Sequence, residues 1–254
     1  MRKMACVAAL GLLAVPAVRA EGDPTKAILD RAVKALGGEK KLAAAGGLTW
    51  KVSGSLEIEG MRIDLSGDWS AQGLDRYRWD AQASVMGRTE NATVVAVGGK
   101  VWARDGQDRV MDAPKEIVPM LLANFRCFRL VQNPLLLRDK AFKLSPLGEL
   151  KIGDRETVGL KVTRKGWTDI DLFFDKKTGL PFKTEIHIKE SKDGMDVSHA
   201  FVFDGYKEFG GLKHFGKVRF LRDDKALLKL ECTEVKAHEK LDDSVFAKPA
   251  KGSE

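Results

Sequence analysis

The chain has 254 residues, with 43 Lys and Arg against 36 Asp and Glu, and is 44% hydrophobic and 31% charged. This composition belongs to a folded globular protein; it excludes a disordered tail, a collagen-like fibre and a small disulfide-stapled scaffold. The formal charge of +7 is spread through interspersed Lys and Glu without a basic run of five, so nucleic acid is not an expected partner.

Residues 1–20 read as a secretory signal peptide. Arg2 and Lys3 precede an apolar run from Met4 to Val18 that is too short to span a bilayer. Val18-Arg19-Ala20 then sets small residues at the positions needed for cleavage after Ala20. The rest, 21–254, has no Pro/Gly/Ser-rich linker and no fixed-period repeat, and reads as one exported domain.

That domain opens with a helix. Asp23 is its N-cap, Pro24 its first residue, and Ile28, Leu29, Ala32, Val33 and Leu36 form one apolar stripe that stops at Gly37-Gly38. A short helical piece, 39–45, ends at Gly46-Gly47. Alternation then takes over: Trp50, Val52, Gly54, Leu56 and Ile58 face one way, and after a turn at Glu59-Gly60 so do Met61, Ile63, Leu65, Gly67 and Trp69. A third strand carries Tyr77 and Trp79 opposite Arg76, Arg78 and Asp80, with further strands over 89–97 and 100–104. Such alternation marks antiparallel sheet with one buried face. A second helix interrupts the sheet between Pro114 and Val131, with Leu121, Leu122, Phe125 and Phe128 on one face; Pro119 kinks it or marks its start, and Asn133-Pro134 ends it. Strands resume over 156–164 and 169–175. They continue through the Asp175–Gly179 turn to Ile188, round an Asp193-Gly194 turn, and over 197–203, 215–221 and 226–235; residues 241–246 close with one helical turn. The expected fold is mainly β: a strongly curved antiparallel sheet of ten or eleven strands, a half-open barrel, with an N-terminal and an inserted helix covering its concave face.

No nucleophile elbow, P-loop, zinc-protease motif or dinucleotide fingerprint is present. His187, His199, His214 and His238 are scattered. Asp169 with Asp171, and Glu185 with His187, share strand faces beside lysines and read as solvated surface. An enzyme, a metal and a cofactor are therefore not expected. Cys127 on the inserted helix and Cys232 on a late strand either form a disulfide in an oxidising compartment or remain buried thiols.

The informative constellation is apolar. Trp50, Leu56, Ile63, Trp69 and Trp79 come from the early strands, Leu172, Phe174, Ile186 and Phe201 from the later ones, and Met120, Leu121, Phe125 and Phe128 from the inserted helix. They are core residues, or they line a cavity for an apolar ligand.

Three segments resemble one family. They are Ile28-Leu29-Asp30-Arg31-Ala32 with Ala35-Leu36-Gly37-Gly38, then Phe174-Asp175-Lys176-Lys177-Thr178-Gly179-Leu180-Pro181-Phe182-Lys183, and last Leu241 to Pro249. Their order and character are similar to exported bacterial proteins of the LolA/LolB-like superfamily. The resemblance implies a periplasmic half-open barrel with a helical lid. Its best-known members shelter the acyl chains of outer-membrane lipoproteins, and a relative is an envelope-stress sensor domain. In the carriers a strand arginine hydrogen-bonds the lid; Arg76 and Arg78 are the nearest strand arginines here, without a match that transfers the role. The chain also exceeds a typical carrier in length, through its strands after the inserted helix. The resulting expectation is a periplasmic carrier for lipoprotein or lipid acyl chains. The alternatives are an envelope sensor or interaction module that binds a membrane protein, and a structural protein with a filled core.

Overall fold

The computed structural model describes residues 23–189 and 194–250. The expected signal peptide and Asp193 of the expected Asp193-Gly194 turn lie outside the described residues. Helix α1 (Pro24–Ala35) starts where the Asp23 carboxylate accepts the Thr25 N–H at 2.9 Å. It ends at Gly37, whose φ of +127° no side-chain-bearing residue adopts readily and whose added Cβ would lie 2.6 Å from the Gly211 carbonyl oxygen. Helix α2 (Glu39–Ala44) follows.

Six strands come next: β1 (Gly47–Ile58), β2 (Met61–Gln72), β3 (Arg76–Val85), β4 (Arg88–Val97), β5 (Lys100–Arg104) and β6 (Val110–Asp112). Helix α3 (Val118–Gln132) is the inserted helix, and the 3-10 turn Pro134–Arg138 continues from it. The second run is β7 (Lys143–Ile152), β8 (Arg155–Thr163), β9 (Ile170–Asp175), β10 (Pro181–Lys189), β11 (Asp196–Asp204), β12 (Lys207–Phe209), β13 (Leu212–His214), β14 (Lys217–Arg222) and β15 (Lys225–His238). A 3-10 turn, Asp243–Phe246, closes the fold.

Thirteen strands form one sheet in the order β6-β5-β4-β3-β2-β1-β15-β14-β11-β10-β9-β8-β7, and all its pairings are antiparallel. The last strand, β15, joins the first, β1, so the two halves of the chain meet in the middle of the sheet; its edges, β6 and β7, stay unpaired with each other. The sheet is thus open, as expected, but larger than ten or eleven strands. The additions to it are β6 and β7, while β12 and β13 pair as a separate two-stranded hairpin. Strand β7 carries Pro146 and Gly148 and is exposed along most of its length. Such a strand shows no alternation, and proline is tolerated there because the outer edge needs no ladder donor. The inserted helix starts at Val118, with Pro119 in its first turn rather than at a kink.

The main core lies between the concave sheet face and helix α3. It gathers Trp50, Trp69, Phe125, Phe128, Leu160, Leu172, Phe174, Ile186, Phe203 and Phe215. A smaller one packs Val33, Leu36 and Leu42 against Leu212 of the β12–β13 hairpin. On the convex side, Leu241 and Phe246 of the C-terminal segment cover Val95, Val97 and Trp102. Arg76 and Arg78 belong to this outer layer: Arg76 pairs with Asp243, and Arg78 donates to the Val245 carbonyl at 3.3 Å. Neither reaches the lid. Among the described residues no helix is long and apolar enough to cross a membrane.

Gly54 and Gly67 sit where adjacent strands approach too closely for a side chain. A Cβ on Gly67 would lie 2.1 Å from the Asp80 carbonyl oxygen, and one on Gly54 1.9 Å from that of Lys229. Gly67→Ala must push strand from strand, and a loss of about 1–3 kcal/mol is expected in urea unfolding; an unchanged midpoint would contradict this packing.

Candidate functional site

Strand register builds the site from aromatic rows. Trp50 of β1 lies opposite Trp69 of β2, which lies opposite Trp79 of β3. Trp50 and Trp69 meet edge to face at 5.9 Å, and Trp69 and Trp79 stack at 4.6 Å. Helix α3 drops Phe125 and Phe128 onto this floor: Phe125 stacks on Tyr77 at 4.9 Å and meets Trp79 at 4.7 Å, while Phe128 meets Trp69 at 5.5 Å and Phe201 at 4.8 Å. Such contacts contribute beyond their buried area.

Toward the β1–β2 turn, α3 no longer fills the sheet's curve. A cavity of about 350 Å³ opens there, lined by Val52, Leu56, Leu65, Trp69, Trp79, Ala81, Phe201, Phe220, Leu228 and Leu230, with Ser66 and Asn124 its polar members. Asn124 reaches it from α3, and its Nδ2 lies 3.5 Å from His199 Nδ1. The apolar stripe runs on outward through half-buried Ile63 to Ile58 and Met61, which are 46% and 48% exposed. The volume falls at the lower end of small-molecule sites, and the lining suits a hydrocarbon.

Of the residues expected to line a cavity, Leu56, Trp69, Trp79 and Phe201 do so. Trp50, Phe125, Phe128, Leu172, Phe174 and Ile186 lie in the closed core instead, and Ile63, Met120 and Leu121 are half-buried outside the lining. Val52 and Leu65 stand on the alternating faces already named. Leu228 and Leu230 arrive through the β1–β15 pairing, for which the sequence holds no local signal, and Phe220 through β14 beside β15. Cys127 and Cys232 are both buried and both free; the disulfide reading is thereby corrected. Burial pushes each thiol up to about 12, which keeps it protonated and inert.

Two buried polar groups anchor the lid. Arg129 of α3 is 1% exposed. Its Nε donates to the Gly73 carbonyl at 3.0 Å and its Nη2 to those of Ala45 and Gly46 at 3.2 and 3.0 Å. It therefore ties α3 to the α2–β1 junction and to the β2–β3 turn, and burial lowers its pKa to about 10. His214 sits beside Trp50, and its Nδ1 lies 2.8 Å from the Phe215 carbonyl oxygen and its Nε2 3.0 Å from Gln132 Nε2. These partners require the neutral ring with its proton on Nδ1. Among the described residues no three His, Cys, Asp or Glu side chains gather as a metal site.

No protein-family model matches the sequence, and no curated protein is significantly similar to it. Solved structures are. A LolA superfamily protein from Nitrosomonas europaea matches with a TM-score of 0.57 at 13% identity, over 88% of this chain and 97% of that one. A DUF1329 family protein from Desulfovibrio piger matches at 0.56 and 14%, over 89% and 98%. A putative outer membrane lipoprotein-sorting protein domain from Vibrio parahaemolyticus matches at 0.54 and 12%, over 88% and 97%. Identities this low speak for the fold alone, and with the open antiparallel sheet and its helical lid they show that this chain has the LolA-like fold.

Proposed function

We propose that the chain is an exported carrier that shelters acyl chains of a lipid or lipoprotein in the cavity beneath α3. The observation that carries this reading is the cavity itself: apolar on nearly every side, and continuous with an apolar stripe that leads to exposed Ile58 and Met61. Each buried methylene contributes about 0.8 kcal/mol, so a chain is held without polar chemistry. A similar fold in a protein described as lipoprotein-sorting lends support.

The test is native mass spectrometry of protein purified from a bacterial periplasm without detergent. Adducts with the masses of phospholipids or acylated peptides are expected. A clean unliganded mass, with no uptake of added lipid, would overturn the reading in favour of an interaction or structural module. The lining makes a sharper prediction. Leu65 is half-buried, so Leu65→Glu is tolerated by the fold but places a charge in the cavity. Affinity for a fluorescent fatty acid should fall at least about tenfold, since a buried leucine contact contributes about 1.5–3 kcal/mol. Wild-type affinity in that variant, with its circular dichroism unchanged, would show that the probe binds elsewhere.

A further inference from the structure

A second site lies away from the cavity, where α3 meets the loop between β8 and β9. Arg126 of α3 lays its guanidinium on the Trp167 ring, with Cζ 3.7 Å from the ring centre. Arg164, the first loop residue after β8, brings its own Cζ to 4.9 Å from the same ring and to 5.0 Å from Phe142. Phe142 meets Trp167 edge to face at 5.4 Å. Two like charges thus share one indole, and Lys143 and Lys165 add to the same corner: Lys143 pairs through its backbone with Thr163, and Lys165 follows Arg164 in the chain.

The acids near this corner do not pair with its arginines: among the described residues Asp169, two residues past Trp167, and Asp75, whose charge acts on Arg126, form no ion pair with Arg126 or Arg164. Several other arginines meet acids: Arg76 with Asp243, Arg78 with Asp80, Arg138 with Asp30 and Glu39, and Arg155 with Asp175 and Asp204. Among the described residues neither Arg126 nor Arg164 has a carboxylate oxygen within ion-pair reach, and the Nε of Arg126 is buried without a hydrogen-bond partner. Burial, the largest cause, lowers the Arg126 pKa and the nearby Arg164 charge adds to it, while Tyr77 and Asp75 act in the opposite direction. A cation–π stack compensates part of this cost but leaves the repulsion in place and the buried Nε of Arg126 without a partner.

We propose that Arg126, Arg164 and Trp167 form a binding site for a phosphate-type oxyanion. The guanidinium fork matches phosphate oxygens bidentately, and an anion seated between the two cations relieves their repulsion. Because one arginine belongs to the lid helix and the other to the loop that follows β8, the bound anion links them and holds α3 down. The phosphate is that of a lipid headgroup or of a soluble phosphate compound; the chemistry recognised is the same. The proposal stands apart from the cavity, and acyl-chain binding can fail without affecting it.

The experiment is a calorimetric titration of the purified protein with inorganic phosphate at low ionic strength, where surface screening is weak. Saturable one-to-one binding is expected, weakened at least about tenfold by Arg164→Gln, because hydrogen bonds to a charged group contribute about 1.5–3 kcal/mol. Arg126→Gln should act alike, and Arg219→Gln, on the outer face, should change nothing. Should Arg126→Gln loosen the lid and unfold, Arg164→Gln on the loop still decides the matter. Absence of saturation, or equal binding by wild type and Arg164→Gln, would overturn the site. Flotation with phosphatidylglycerol or phosphatidylcholine vesicles separates the sources: capture by phosphatidylglycerol alone that Arg164→Gln abolishes identifies a headgroup, and phosphate binding without capture identifies a soluble compound.

Discussion

Phe125→Ala is expected to lower the free energy of unfolding by about 3–5 kcal/mol, the range for a fully buried aromatic cut to a methyl. Phe125 is 1% exposed and is held between Tyr77, stacked at 4.9 Å, and Trp79, edge-on at 4.7 Å. Removing the ring deletes both contacts and leaves a void that the stiff β3 floor cannot close. Urea unfolding followed by tryptophan fluorescence reads the effect. A loss under about 1 kcal/mol would mean that α3 is not seated on the sheet in solution, and the cavity beneath it would lose its lid. The same burial explains why a charged residue at position 125 would be a poor probe of ligand binding: it would unfold the lid before it emptied the cavity.

Acid should weaken the protein through His214. Burial lowers its pKa from 6.5 to about 4, and the nearby charge of Arg129 acts in the same direction. Protonation would also turn Nε2 from an acceptor into a donor facing the Gln132 amide. The folded pKa lies below the unfolded one, so the unfolded chain takes up the proton first as pH falls. Stability is therefore fully present above about pH 6.5 and drains away as pH falls toward 4, by about 3 kcal/mol over the whole window. His214→Gln removes the titrating group, and its unfolding free energy should fall less between pH 6.5 and 4.5. Parallel pH profiles for the two proteins would sink the assignment. Carboxylates whose pKa values are lowered, such as Asp30 beside Lys26 and Arg138, add a loss of the same sign only at lower pH.

The cavity and the lid were only partly legible beforehand. Trp69, Trp79 and Leu56 could be placed on one face because strand side chains alternate with a period of two, and that face proved to be the concave one. Whether such residues touch a helix or an empty space depends on how far α3 stands from the sheet at each point. Trp50 and Trp69 share a face and a register pair, yet Trp69 lines the cavity and Trp50 does not. Arg129 was illegible for a related reason. It lies in a run of apolar helix residues, and its role comes from three carbonyls contributed by segments some 55 to 85 residues earlier in the chain.

Local physics, by itself, determined α1 with its Asp23 cap and its glycine stop, the β1–β2 hairpin around Glu59-Gly60, and the closing turn, where the Asp242 carboxylate accepts the Ser244 N–H at 2.8 Å. These are contacts between near neighbours, and residue type alone selects them. Only the tertiary structure decided that β15 pairs with β1, that the C-terminal segment covers the outer face while α3 covers the inner one, and that two arginines converge on Trp167. Each joins segments far apart in the chain. Closing such loops costs entropy whatever residues lie between, so the partners are chosen by the total burial and pairing of the whole sheet rather than by any short stretch of sequence.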